Sequence, residues 1–177
     1  MGAGNPEPST TGAPEQVTSA AGEPTQRLPA AARGLFVVQG LGGAAPVALI
    51  ALIAGAALAD AGTPVWIAVA VQALGVAGAV AAGIALPLVR WRRWRYELRD
   101  EELDLLRGAV VVTRTLIPTA RVQHVDTRRT WLSDRFGLRA VIVHTAGGAH
   151  AIPALGADEA AAIRDRIATL ARAPDDV

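Results

Sequence analysis

Between Arg33 and Arg90 the chain carries a single ionisable side chain, Asp60, flanked by apolar runs at Gly34 to Ala59 and Ala61 to Val89. A helix rising ~1.5 Å per residue crosses ~30 Å of hydrocarbon in ~20 apolar residues, so each run is long enough to span a bilayer. The link between them, Asp60-Ala61-Gly62-Thr63, is too short for anything but a helical hairpin. The pattern predicts a transmembrane hairpin over residues 33–90 and one soluble domain over residues 91–173. Residues 1–32 and 174–177 are left as tails.

Composition removes several alternatives. Of 177 residues, 51% are hydrophobic but only 4% aromatic, and the apolar content is concentrated in the two spans, which leaves enough chain for one small soluble core. Cysteine is absent, which excludes disulfide scaffolds, zinc-thiolate sites and iron-sulfur clusters. All 17 basic residues are arginine, a bias that fits a GC-rich coding sequence as well as any chemistry. A net charge of +1 gives no reason to expect nucleic acid as a partner.

The segment Met1 to Ala32 is rich in Pro, Gly, Ala, Ser and Thr and has no aromatic residue. Such a segment cannot bury enough apolar surface to offset its ordering entropy, and a disordered tail is predicted. Ala57-Leu58-Ala59 resembles a secretory cleavage site, but the apolar run before it is about twice the 7 to 15 residues of a signal core, which favours an anchor.

Arginines set the expected orientation. Arg27 and Arg33 precede the first span, Arg90, Arg92, Arg93 and Arg95 follow the second, and the link has none, so both ends are expected in the cytoplasm. Trp66 is placed at the outer interface, and Trp91 and Trp94 among the arginines at the inner one. Thr63-Pro64 suits the start of the second helix. Within the spans, Ala51, Gly55 and Ala59, and again Gly75, Ala79 and Gly83, recur every four residues and make ridges along which backbones can approach. Gln39 and Gln72 lie at different depths in an antiparallel hairpin, so each is expected to bond to backbone or to a symmetry mate rather than to the other.

Trp94, Tyr96 and Leu98 alternate with charged residues, the mark of a half-buried strand. Leu103 to Leu106, Val110 to Leu116, Val122 to Arg128, Leu138 to Thr145 and His150 to Ile152 read as further strands. Turns fall between them at Asp100, Gly108, Pro118, Trp131 to Gly137 and Gly147-Gly148. Ala160, Ile163, Ile167 and Leu170 form one apolar helix face, with Asp158 and Glu159 in the first turn as the helix dipole favours. Short antiparallel strands closed by a C-terminal helix give a small barrel in the α+β to mainly-β range.

Over Trp94 to Leu170 the chain resembles the bacterial PH-like domains known as membrane-flanked domains, which sit beside paired transmembrane helices. The resemblance is carried by Tyr96 and Leu98, Gly108, Ile117-Pro118 with Arg121-Val122-Gln123, Trp131-Leu132, Arg135-Phe136-Gly137-Leu138, Thr145-Ala146-Gly147-Gly148 and Ala157-Asp158-Glu159-Ala160. It implies a split barrel capped by a helix and no established enzymatic activity. Glu102, where a turn Gly is common, and Arg128-Arg129 depart from the pattern.

Candidate chemistry is sparse. His124, His144 and His150 fall on separate expected strands without a ligand at metal-binding spacing, so no metal site is expected. Ser133-Asp134 and His124 lack a nucleophile elbow or oxyanion motif, so no catalytic residue is assigned. Gly147-Gly148 lacks the helix entry and Lys of a phosphate loop, and no cofactor is expected. Arg121 and Gln123, two apart and so on one side of a strand, and the exposed Arg128, Arg129 and Arg135 are candidate partner or ligand contacts. The expected function is a non-catalytic interaction or assembly module on the cytoplasmic face, with the bilayer and a membrane protein or a second copy as partners. An accessory subunit of an export or resistance system is the alternative. Reporter fusions at Met1 and Val177 are expected to report the same, cytoplasmic, compartment; an external C-terminus would overturn the topology.

Overall fold

The computed structural model describes residues 22–172, and the remaining residues at both ends, which include most of the expected tails, lie outside it. Two 29-residue helices, α1 (Ala32–Asp60) and α2 (Val65–Arg93), form the hairpin. Only 6% of the apolar window of α1 and 17% of that of α2 is buried, the opposite of a core helix in a soluble protein. Pro46 sits inside α1 without breaking it. The start of α2 differs from the expected Thr cap: Pro64 is the N-cap residue, and among the described residues no side chain caps the helix.

The Gly75 and Gly83 ridge of α2 meets small residues of α1, namely Ala51, Ala44 and Gly40. A Cβ at Gly83 would stand 2.8 Å from the Cβ of Ala44 and 3.1 Å from the Gly40 oxygen, and one at Gly75 would collide with Ala51. Near the turn, the Gln72 side chain lies across Gly55, and its Nε2 donates to the Leu52 oxygen at 3.0 Å. The expected backbone bond is therefore made within the hairpin. It satisfies an amide that lipid could not.

The soluble domain follows in two sheets. The first has the order β1 (Gln26–Arg27), β2 (Arg95–Leu98), β3 (Glu102–Arg107) and β4 (Thr113–Pro118). The second contains β5 (Val122–Arg128), β6 (Leu138–Thr145) and β7 (Gly148–Gly156), and all neighbours are antiparallel. A one-turn helix, α3 (Trp131–Arg135), occupies the expected Trp131 to Gly137 turn, opened by a capping box between Thr130 and Ser133. Helix α4 (Ala157–Leu170) closes the barrel with Ala160 and Ile167 fully buried.

Inward positions of both sheets build the core, with Tyr96, Leu103, Leu105, Val141, Val143 and Ile152 among its members. The Tyr96 hydroxyl donates to the Glu159 carboxylate, tying β2 to α4. Burial first and that bond second push the Tyr96 hydroxyl far above its ordinary pKa and keep it neutral.

Three expectations are corrected here. Residues 22–32, assigned to a disordered tail, are ordered: β1 pairs with β2, Leu28 is buried, and the Gly22 oxygen accepts from both Arg99 and Arg114. Arg114 also forks onto the fully buried Asp104 at 2.7 to 3.1 Å, so the charged outer face of this sheet is closed over by the N-terminal segment. The strand expected at Val110 starts only at Thr113, leaving three valines in a loop. The strand expected at His150 to Ile152 extends over Gly148–Gly156.

Replacing Gly83 by Leu is expected to lower the thermal stability of the detergent-solubilised protein by ~1–2 kcal/mol. Gly78→Leu, where a Cβ meets nothing within 4 Å, is the control and is expected to leave the transition unchanged. Equal behaviour of the two variants would mean that the ridge does not hold the hairpin.

Candidate functional site: the membrane junction and the barrel faces

The hairpin and the barrel share one core. Ala32, Leu35 and Phe36 of the first turns of α1 are buried in the same cluster as Tyr96 and Leu105. A helix of 29 residues is ~43 Å long, more than ~30 Å of hydrocarbon requires. Its first turns can therefore serve the barrel while the rest spans. Phe136, just after α3, packs on Gly34, which holds α3 beside the start of α1.

The arginine and tryptophan belt mostly builds this junction. Trp94 was expected at the lipid interface, but it is buried in the barrel core, and its Nε1 has no hydrogen-bond partner among the described residues. Trp91 is half-buried and donates from Nε1 to the Pro29 oxygen at 3.2 Å. The Arg90 guanidinium lies 5.6 Å from the Phe36 ring centroid, within cation–π range. Arg93 donates to the Ala109 oxygen at 2.7 Å, and Arg95 to the oxygens of Arg92 and Trp94. Partial desolvation and Arg27, opposite it on β1, lower the pKa of Arg95. Arg92 is exposed, and so is Trp66 at the far end of α2.

Arg93 thereby pins the loop between β3 and β4 against the hairpin. Gly108 begins the loop at φ +138°, and a Cβ there would collide with the Val111 oxygen. Val110 and Val111 are 83% and 75% exposed. A groove joins Ala109 and Val110 to Phe36, Gln39, Pro87 and Arg90, so the loop lies alongside the helices at the level of the arginines. Apolar residues are uncommon at an exposed loop tip. That signal could have been read from Gly108 to Val112, but the run looked like a strand.

Arg121 and Gln123 do come together, although not as strand neighbours. Arg121 ends a 3-10 turn over Thr119–Arg121, and the ladder is irregular between Val122 and His124. Both line a cleft of about 460 Å³ between the sheets, together with Thr145, Gly147 and His150. Arg128, Arg129 and Arg135 are exposed around α3, together with Trp131 at 83% exposure. Ser133 is buried as the partner of Thr130, and Asp134 pairs with Arg139 at 2.7 Å, so no hydrolytic triad forms from them. The histidines depart from expectation, because His124 and His144 are direct partners across β5 and β6 with Asp126 beside them. His150 alone stands apart, in the cleft.

A membrane hairpin continuous with a two-sheet barrel that a C-terminal helix closes defines a membrane protein with a PH-like domain. A family model described as bacterial PH domain matches residues 34–171, hairpin included, and the chain belongs to that family. The chain is 42% identical over 113 residues to the UPF0699 transmembrane protein YdbS of Bacillus subtilis (strain 168), an alignment that covers 64% of this chain and 71% of that protein. It is 27% identical over 100 residues to the UPF0699 transmembrane protein YdbT of the same organism, covering 51% of this chain and 20% of that longer relative. No solved structure matches.

Because the chain has no cysteine, Val111→Cys carries a unique label. An environment-sensitive fluorophore at that position is expected to be blue-shifted in liposomes and quenched by spin-labelled lipid. The same label on Ala146→Cys, at the exposed turn between β6 and β7, is expected to report water. Water-like emission at both positions would remove the loop from the membrane.

Proposed function

We propose that the protein is a non-catalytic assembly module, which holds a PH-like barrel in one fixed pose at the cytoplasmic face of the membrane and presents it to a membrane-protein partner. Burial of Ala32, Leu35 and Phe36 within the barrel core carries this reading, because the barrel cannot swing on a linker. The Val110 to Val112 loop and the exposed arginines Arg92, Arg128, Arg129 and Arg135 supply apolar and electrostatic contact with the anionic inner leaflet.

The cleft between the sheets is then the surface left for a partner. It shares no lining residue with the groove beside Ala109 and offers Arg121 and Gln123 beside apolar walls from Leu116 and Pro118. Transport through the hairpin receives less support, since Gln72 is committed to the Leu52 carbonyl and the facing residues are small and apolar.

A photo-crosslinking residue at Gln123 is expected to yield a discrete adduct with a membrane protein in cells, and Arg121→Glu is expected to abolish it. The same residue at Ala162, on the exposed side of α4, is expected to give none. Absence of an adduct at Gln123, or equal adducts at both positions, would overturn the assignment of the cleft.

A further inference from the structure

Two imidazoles and a carboxylate meet on the outer face of the second sheet. His124 and His144 are register partners on adjacent antiparallel strands, so their side chains leave the sheet together on one face. Asp126, two residues further along β5, projects from that same face. The two rings stack with centroids 4.1 Å apart and 13° between their planes. Asp126 Oδ2 lies 3.3 Å from His144 Nε2 and 3.8 Å from His124 Nε2. One donor atom from each of the three residues lies within 4.8 Å of the others.

We propose that His124, Asp126 and His144 form a binding site for a divalent transition ion of the zinc class. Donors around tetrahedral zinc sit ~2.0–2.2 Å from the metal, hence ~3.3–3.5 Å from one another. The present spacing needs a contraction of up to ~1.5 Å, which the exposed His124 and Asp126 side chains can make by rotation while the strand ladder stays fixed. Imidazole nitrogen with one carboxylate oxygen suits zinc, nickel or copper(II), whereas magnesium and calcium call for oxygen alone. Three protein ligands leave a fourth position for water or for a donor from a partner.

Asp126 is exposed, and His124 borders a groove lined by Ala168, Ala171 and Arg172 at the end of α4. Arg128, at the other end of β5, leads into α3, which packs beside the hairpin through Phe136 and Gly34. His124 is four residues away along the strand, ~13 Å at ~3.3 Å per residue. The site therefore stands clear of the arginine belt.

The chain has only three histidines and no cysteine, so the test is unusually clean. Full-length protein without a histidine tag, in detergent micelles, is titrated with Zn²⁺ by calorimetry and with Co²⁺ by visible absorption. One ion per chain is expected, with cobalt bands of low-symmetry, four-coordinate character. Asp126→Asn removes an anionic ligand with little change of side-chain volume and is expected to weaken binding at least as much as the ~10–100-fold typical of outer-shell losses. His144→Ala is expected to weaken it further, and His150→Ala to leave it unchanged. No stoichiometric binding, binding indifferent to Asp126→Asn and His144→Ala, or binding that requires His150 would overturn the proposal.

Discussion

The structure depends on a hydrophobic core that crosses the boundary between membrane helix and soluble barrel. Trp94 follows α2 directly and Ala32, Leu35 and Phe36 begin α1, and all four are buried in the core cluster that the strands build. At ~25 cal/mol per Å² of apolar surface, a buried Phe or Leu stabilises by ~1.5–3 kcal/mol. Those residues would gain much less in the headgroup region. The junction needs no linker, and the family model starting at Gly34 spans the hairpin and barrel as one unit.

Close packing within the hairpin makes that arrangement possible. Both helices must leave the bilayer near each other for Leu35 and Trp94 to reach the same core. Gly40, Gly75 and Gly83 let the backbones approach where larger side chains would force them apart. The charged face of the first sheet has a comparable economy. Asp104 would be costly alone at full burial, and the Arg114 fork together with the Gly22 carbonyl completes its surroundings.

Regular periodicity was the most readable part of the chain. The spans, β5, β6 and the face of α4 follow directly from runs and spacings, because length and period are local properties. Residues with two plausible environments were not readable in the same way. Trp94 adjoins four arginines and looks interfacial, yet it is the first residue to turn into the barrel. Val110 to Val112 have strand composition, but the conformation of Gly108 places them at a loop tip. Leu28 is one buried anchor in a polar segment, too little signal for a period to detect. The pairing of His124 with His144 depends on register between strands whose members are 20 residues apart, and spacing along one strand cannot supply it.

A barrel sharing a core with the ends of two membrane helices is mechanically a lever. Tilting is one way a membrane helix accommodates bilayer thickness, and here a tilt would pass to the barrel without a hinge to absorb it. A change of about 10° over a barrel reach of roughly 30 Å would carry its far surface about 5 Å along the membrane plane. The pose of the cleft is thus set by the thickness and packing of the lipid around the helices as well as by the barrel's own contacts.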